Sequence, residues 1–233
     1  MALTPTENEA FLREVDENLR HEQMTNLARR WGKVAAVLVG VLLIGLAAFL
    51  WWQNHRVEQA GQEGEQFSQV LQDVEIGRAQ ASDPRLAALA QSPRDGYRGM
   101  ARLTQAALTA RTNPAAAATQ FQAIANDGGL PQEVRDLALL RAVTLQFDSL
   151  PPAEVVAKLK PLAVANNPWF GSAGELTAMA YLKMGKKDLA GPLFAAVARD
   201  ADAPIGLRSR AQGMATALGQ TVTIITPPGA LKE

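Results

Sequence analysis

The chain has 233 residues with 23 Lys and Arg against 23 Asp and Glu, 48% hydrophobic residues and no cysteine. Disulfides, thiol catalysis and thiolate metal sites are therefore excluded. From Val57 onward the basic and acidic residues also balance, 17 against 17, so no excess positive charge is available to hold a phosphate backbone, which argues against nucleic acid as a partner.

The first thirty residues read as an amphipathic helix. Thr6 with Glu9 makes a capping box, and Phe11, Val15, Leu19, Leu27 and Trp31 recur at multiples of four. Glu9 to Arg13 and Asp16 to Arg20 add favourable pairs one turn apart. Two readings are open for this segment, 1–33: its apolar stripe docks on a partner or on a leaflet of anionic lipid, or it is a solvated stem.

Val34 to Trp52 is a run of 19 residues without a charged or strongly polar side chain. As a helix it spans about 28 Å, close to the hydrocarbon thickness of a bilayer. Bulky and polar residues, Trp51 to His55, follow it where a signal peptidase needs small ones, so a retained transmembrane helix over 34–52 is expected. Trp31 on one side and Trp51 with Trp52 on the other suit the headgroup level. Arg20, Arg29, Arg30 and Lys33 lie in the 15 residues before the run and only Arg56 in the 15 after it, which predicts a cytoplasmic N-terminus and a translocated C-terminal domain. Gly32, Ala36, Gly40 and Ala47 fall within an arc of about 80° on that helix and are candidates for contact with another membrane helix, the alternative being small residues that face lipid.

Beyond a helical connector and N-terminal cap over 53–92, prolines mark a repeat. Pro93, Pro131, Pro168 and Pro204 are spaced by 38, 37 and 36 residues, and Pro114 and Pro151 lie 37 apart between them. That period fits two helices per unit over 93–218. The intervening segments are rich in helix formers, Asn113-Pro114 suits a helix start, and Ser172 with Glu175 reads as a further capping box. Glu63 with Glu65, and Asp200 with Asp202, are spaced as paired carboxylates but read as solvated charge.

The stretch "AMAYLKMGKKDLAGPLFAAVA", Ala178 to Ala198, resembles a tetratricopeptide repeat. Ala178, Tyr181, Gly185, Ala190 and Phe194 occupy that family's small, aromatic, glycine, alanine and aromatic positions, and Val197 stands where alanine is usual. The physical roles follow from the residue types. The alanines let two helices approach, Gly185 can adopt the left-handed conformation that ends the first helix, and the aromatic rings supply buried area. Ala117 with Phe121, and Val155 with Leu159, are the corresponding packing residues of the earlier, more divergent units. Thr221 onward is β-prone and then proline-rich, and 219–233 is expected as a flexible tail.

The order of tail, single span and about three helical pairs, together with "FLREVDENLRHEQ" over Phe11 to Gln23, resembles the membrane-anchored tetratricopeptide-like proteins of the YfgM type, and among them the alphaproteobacterial members. The resemblance implies an all-α fold: one N-terminal transmembrane helix, then an α-solenoid of helical pairs with a C-terminal capping helix. It also implies a non-catalytic adaptor in a bacterial inner membrane, an ancillary partner of the Sec translocon that holds periplasmic chaperones or emerging clients. The alternative is a scaffold for another cell-envelope complex, of cell-wall, outer-membrane or respiratory assembly. In such stacks the first helix of each pair lines a concave groove, which for the last unit implies Ser172, Glu175, Met179 and Leu182. These four offer no cationic clamp, so the groove is expected to suit a segment with few charges. In the competing reading Met179 and Leu182 are core. The two histidines, His21 and His55, lie far apart, and no nucleotide-binding turn or metal-ligand cluster is present, so neither catalysis nor a cofactor nor a metal is expected.

Overall fold

The computed structural model describes residues 5–222, and the side chains of 33, 34 and 36–222. The stripe expected over the first thirty residues, the side chain position of Gly32 and residues 223–233 lie outside that description. Among the described residues there are nine α-helices and no strand: α1 (Pro5–Glu75), α2 (Pro84–Leu89), α3 (Asp95–Ala110), α4 (Pro114–Ala125), α5 (Gln132–Gln146), α6 (Pro152–Leu159), α7 (Phe170–Lys183), α8 (Lys187–Arg199) and α9 (Ile205–Ala217). Two compact units divide the chain, Met1–Gln62 and Glu63–Glu233.

In the first unit α1 includes a stretch long and apolar enough to cross a membrane. Among the described residues the large aliphatic side chains of that stretch are exposed, Leu42 to 70% and Ile44 to 72%. Ala36 and Ala47 are exposed as well, and a Cβ added at Gly40 would meet nothing within 4 Å. At the end of the apolar run the Trp51 ring stacks on His55 at 5.7 Å, and the Arg56 guanidinium lies 4.7 Å from the Trp52 ring centre. Both pairs hold an aromatic body beside a polar group, the arrangement that suits a membrane–water boundary.

The second unit opens with a cap. Phe67 and Val70 of α1 and Leu86 and Leu89 of α2 are buried with Ala101 and Leu108 of α3. Asp83 caps α2 by accepting from the Arg85 N–H at 2.9 Å. The Arg85 side chain bonds both Asp83 and Asp73, which holds the Asp83 carboxyl below its ordinary range. Glu63 is not the solvated charge expected of it: it accepts from Ser92 Oγ at 2.8 Å and pairs with Arg94 at 2.8 Å, tying the last part of α1 to the turn before α3.

Three antiparallel pairs follow, α3 with α4, α5 with α6 and α7 with α8, and α9 closes the stack. The prolines mark the starts. Pro131, Pro151 and Pro204 are the N-caps of α5, α6 and α9, Pro114 is the first residue of α4, and Pro93 and Pro168 each precede an N-cap. At the N-cap and the first helical residue, proline dispenses with a backbone N–H that a helix start leaves unpaired anyway. Asn113 completes the start of α4 by accepting from the Ala116 N–H at 3.0 Å.

α7 ends as its glycine requires. Gly185 has φ of 74°, the Lys186 N–H donates to Tyr181 O and the Gly185 N–H to Leu182 O, both at 2.9 Å. Ala178 and Ala190 are fully buried where α7 and α8 cross, Phe194 is 1% exposed, and Tyr181 is half-buried beside them. Ala117, Phe121, Val155 and Leu159 are likewise buried in the two earlier pairs. Burying one such large apolar side chain contributes roughly 1.5 to 3 kcal/mol.

Residues 219–222 depart from the expected flexible tail. Gly219 turns the chain with φ of 82°, Arg199 donates to Thr221 O at 3.1 Å, Gln212 donates to Val222 O at 2.9 Å, and Val222 is buried with Ala211 and Ala215. Among the described residues no helix follows α9, and this short segment lies over the apolar flank that Ala211 and Ala215 present.

Candidate functional site

α3, α5, α7 and α9 are the first helices of successive units, and neighbouring ones touch. One stripe recurs on all four. The residues six and ten places after each N-cap are Met100 and Thr104 on α3, Leu137 and Arg141 on α5, Glu175 and Met179 on α7, and Arg210 and Met214 on α9. Residues four apart share a helix face, so a constant offset from the N-cap places these eight side chains on equivalent faces.

Every one of them lines a cleft. The first cleft, of about 380 Å³, lies between α3 and α5 over Phe121, with Met100, Leu103, Ala107, Leu137 and Leu145 giving it an apolar lining. The second, about 270 Å³, is framed by α5, α7 and α9 and includes Arg141, Ser172, Glu175 and Arg210. The third, about 440 Å³, has Met179 and Met214 over Phe194. Leu137, Arg141 and Thr144 border both the first and the second cleft, and Glu175 and Arg210 both the second and the third, so the three form one groove. Such clefts are the size of pockets that receive side chains or small ligands.

The charges in the groove are few and mostly spoken for. Arg210 forks onto Glu175, Nε to Oε1 at 3.0 Å and Nη2 to Oε2 at 3.1 Å, and this pair raises the guanidinium pKa above its ordinary value. Thr104 and Thr144 donate their hydroxyls to the carbonyls of Met100 and Leu140, one turn back on their own helices.

The four residues expected in the groove divide. Ser172, Glu175 and Met179 line it. Leu182 does not: it is half-buried and packs against the core that contains Phe194 and Ala190. Ser172 also caps nothing, because α7 begins at Phe170 with Trp169 as N-cap. The expectation of a groove without cations holds for those four positions but not for the groove, which carries Arg141 and Arg210. The first cleft lies beyond the sequence expectation, although the proline spacing points to it, since counting the same offset from each helix start leads from Glu175 and Met179 back to Met100 and Thr104.

Glycine also permits close approaches that no pattern in the sequence marks, three of them within the stack. A Cβ on Gly174 would come within 2.7 Å of Val197 Cγ2, one on Gly171 within 2.9 Å of Ala203 Cβ, and one on Gly99 within 2.9 Å of Val134 Cγ1. Glycine at these points sets how near α7 lies to α8 and to the turn before α9, and how near α3 lies to α5.

A stack of antiparallel helical pairs whose first helices share one groove defines an α-solenoid scaffold of the kind that receives protein partners. The family model of the tetratricopeptide repeat-like domain matches residues 27–205, and the chain belongs to that family. Such domains are typically non-catalytic scaffolds for protein–protein interaction. No curated protein and no solved structure matches the chain.

Proposed function

We propose that the protein is a non-catalytic adaptor of the bacterial inner membrane, single-pass with a cytoplasmic N-terminus, whose periplasmic repeat domain holds a segment of another polypeptide beside the Sec translocon. The observation that carries this reading is the groove, built from the same two positions on the first helices of four successive units, in a chain that also has a helix apolar enough to span a bilayer. A groove of this kind suits a bound strand or helix of a chaperone or an emerging client. The small residues Gly32, Ala36, Gly40 and Ala47 offer a face on which a translocon helix could pack closely. The orientation rests on the four basic residues before the apolar run against one after it.

The test is purification of the full chain from its own membranes in mild detergent, in wild-type form and as Met100→Glu and Gly40→Leu. Translocon subunits should accompany the wild type, Gly40→Leu should lose them, and Met100→Glu should lose the periplasmic partners alone. Recovery of a different envelope complex would overturn the translocon assignment, and recovery unaffected by Met100→Glu would remove the groove from the mechanism. An active alkaline phosphatase fusion at the C-terminus is expected, and an inactive one would reverse the topology.

A further inference from the structure

Taking the groove as a surface for a polypeptide segment, its charge pattern is uneven. Glu175 and Arg210 neutralise each other, and the threonine hydroxyls are bonded to their own helices. Arg141 is exposed and, among the described residues, has no hydrogen-bond or ion-pair partner. It stands where the first cleft meets the second, so any segment that runs from one to the other passes its guanidinium.

The occupant's chemistry follows. A neutral apolar segment lying over Arg141 would strip water from a fixed charge without replacing it, which costs free energy. A basic segment would be repelled. A carboxylate would meet the planar guanidinium with two parallel N–H to O bonds, the strongest pairing available to this side chain. The first cleft beside it, lined by Met100, Leu103, Ala107 and Leu145, takes aliphatic side chains and offers methionine as an adaptable wall. We propose that the groove holds a protein segment with aliphatic side chains in the cleft between α3 and α5 and an Asp or Glu, at a fixed spacing from them, on Arg141. This inference rests on the groove being the binding surface, and it adds which segments the groove selects.

The experiment is selection from a random peptide display library on the full chain in lipid nanodiscs, as wild type, Arg141→Glu, Arg141→Gln and Met100→Glu. Among the described residues Arg141 has no partner to lose, and Met100 is 44% exposed, so these replacements leave folding intact, and the thermal unfolding of each variant checks it. Wild type should enrich aliphatic sequences with an acidic residue at constant spacing. Arg141→Glu should replace that acid with Lys or Arg, and Arg141→Gln should weaken the wild-type-selected peptide by about tenfold. The same consensus from wild type and Arg141→Glu, or aliphatic sequences without an acid, would overturn the proposal while the groove stands. Wild-type-selected peptides that still bind Met100→Glu, or no enrichment on any variant, would overturn both.

Discussion

Replacing Gly174 by alanine tests how the pair α7 and α8 sets the groove. The new methyl would lie 2.7 Å from Val197 Cγ2, 3.5 Å from Phe170 Cε2 and 3.7 Å from Leu193 Cδ1. Carbon atoms settle at about 3.5 to 4.0 Å, so the contact with Val197 is roughly 1 Å too short. Val197 is fully buried, and as a β-branched residue in a helix it has one strongly preferred rotamer, which leaves it little freedom to turn away. Overpacking costs about 1 to 3 kcal/mol, and a buried β-branched neighbour that cannot turn away puts this case at about 2 to 3 kcal/mol. Alanine recovers up to about 1 kcal/mol through its better helix propensity, so a net loss of about 1 to 2 kcal/mol is expected. For a domain of this size that lowers the melting temperature by about 2 to 8 °C. Val197→Ala alone should destabilise by about 2 kcal/mol through the cavity it leaves. The double variant should recover, because the methyl at 174 enters that cavity, giving a favourable coupling of about 1 kcal/mol. The assay is thermal unfolding of the full chain in nanodiscs, followed by circular dichroism. A Gly174→Ala protein that melts at or above wild type, or a strictly additive cycle, would refute the claim that this glycine is required by close helix approach.

Leu182→Ala should lower stability by about 1 to 2 kcal/mol because its side chain packs against the α7–α8 core, whereas Met179→Ala, at 38% exposure, should change it by less than about 0.5 kcal/mol and act on partner binding instead. Gly185→Ala should cost about 1 to 2 kcal/mol, measured by denaturant unfolding, because φ of 74° forces Cβ towards the following carbonyl. The Asp127 carboxyl is held below its ordinary value of 3.8, first by the Gly129 N–H and then by Arg102, against an opposing desolvation. Its folded pKa is therefore lower than its unfolded one, so its contribution is complete above the unfolded value and is lost as pH falls through the folded value. Acid titration of unfolding should accordingly show a shallower loss of stability below pH 3.8 for Asp127→Asn than for wild type.

The all-helical repeat was legible from the chain because its signals are local. A proline cannot continue a preceding helix and, at a helix start, removes an N–H that has no partner there, so Pro93, Pro131, Pro168 and Pro204 mark the first helices, and Pro114 and Pro151 the second, without reference to anything distant. Gly185 likewise ends α7 through its own backbone conformation. The apolar run is a property of composition, and α1 carries it as a continuous helix through the boundaries drawn at 33 and 52.

What the tertiary structure decided lies in pairings between residues far apart in the chain. Glu63 reads as solvent-facing charge until α1 is set beside the turn holding Ser92 and Arg94. Leu182 and Met179 stand three residues apart on one helix, and only the crossing of α7 over α8 turns the first against the core and leaves the second in the groove. Gly174 and Gly171 carry no pattern of their own, since their importance is the nearness of Val197 and Ala203. Arg141 is one arginine among many in the sequence, and its place between two clefts depends on how α3, α5 and α7 stack. Periodicity states which side chains share a helix face, but the distance and angle between helices state which face is covered, and those are settled by packing among residues that no local pattern links.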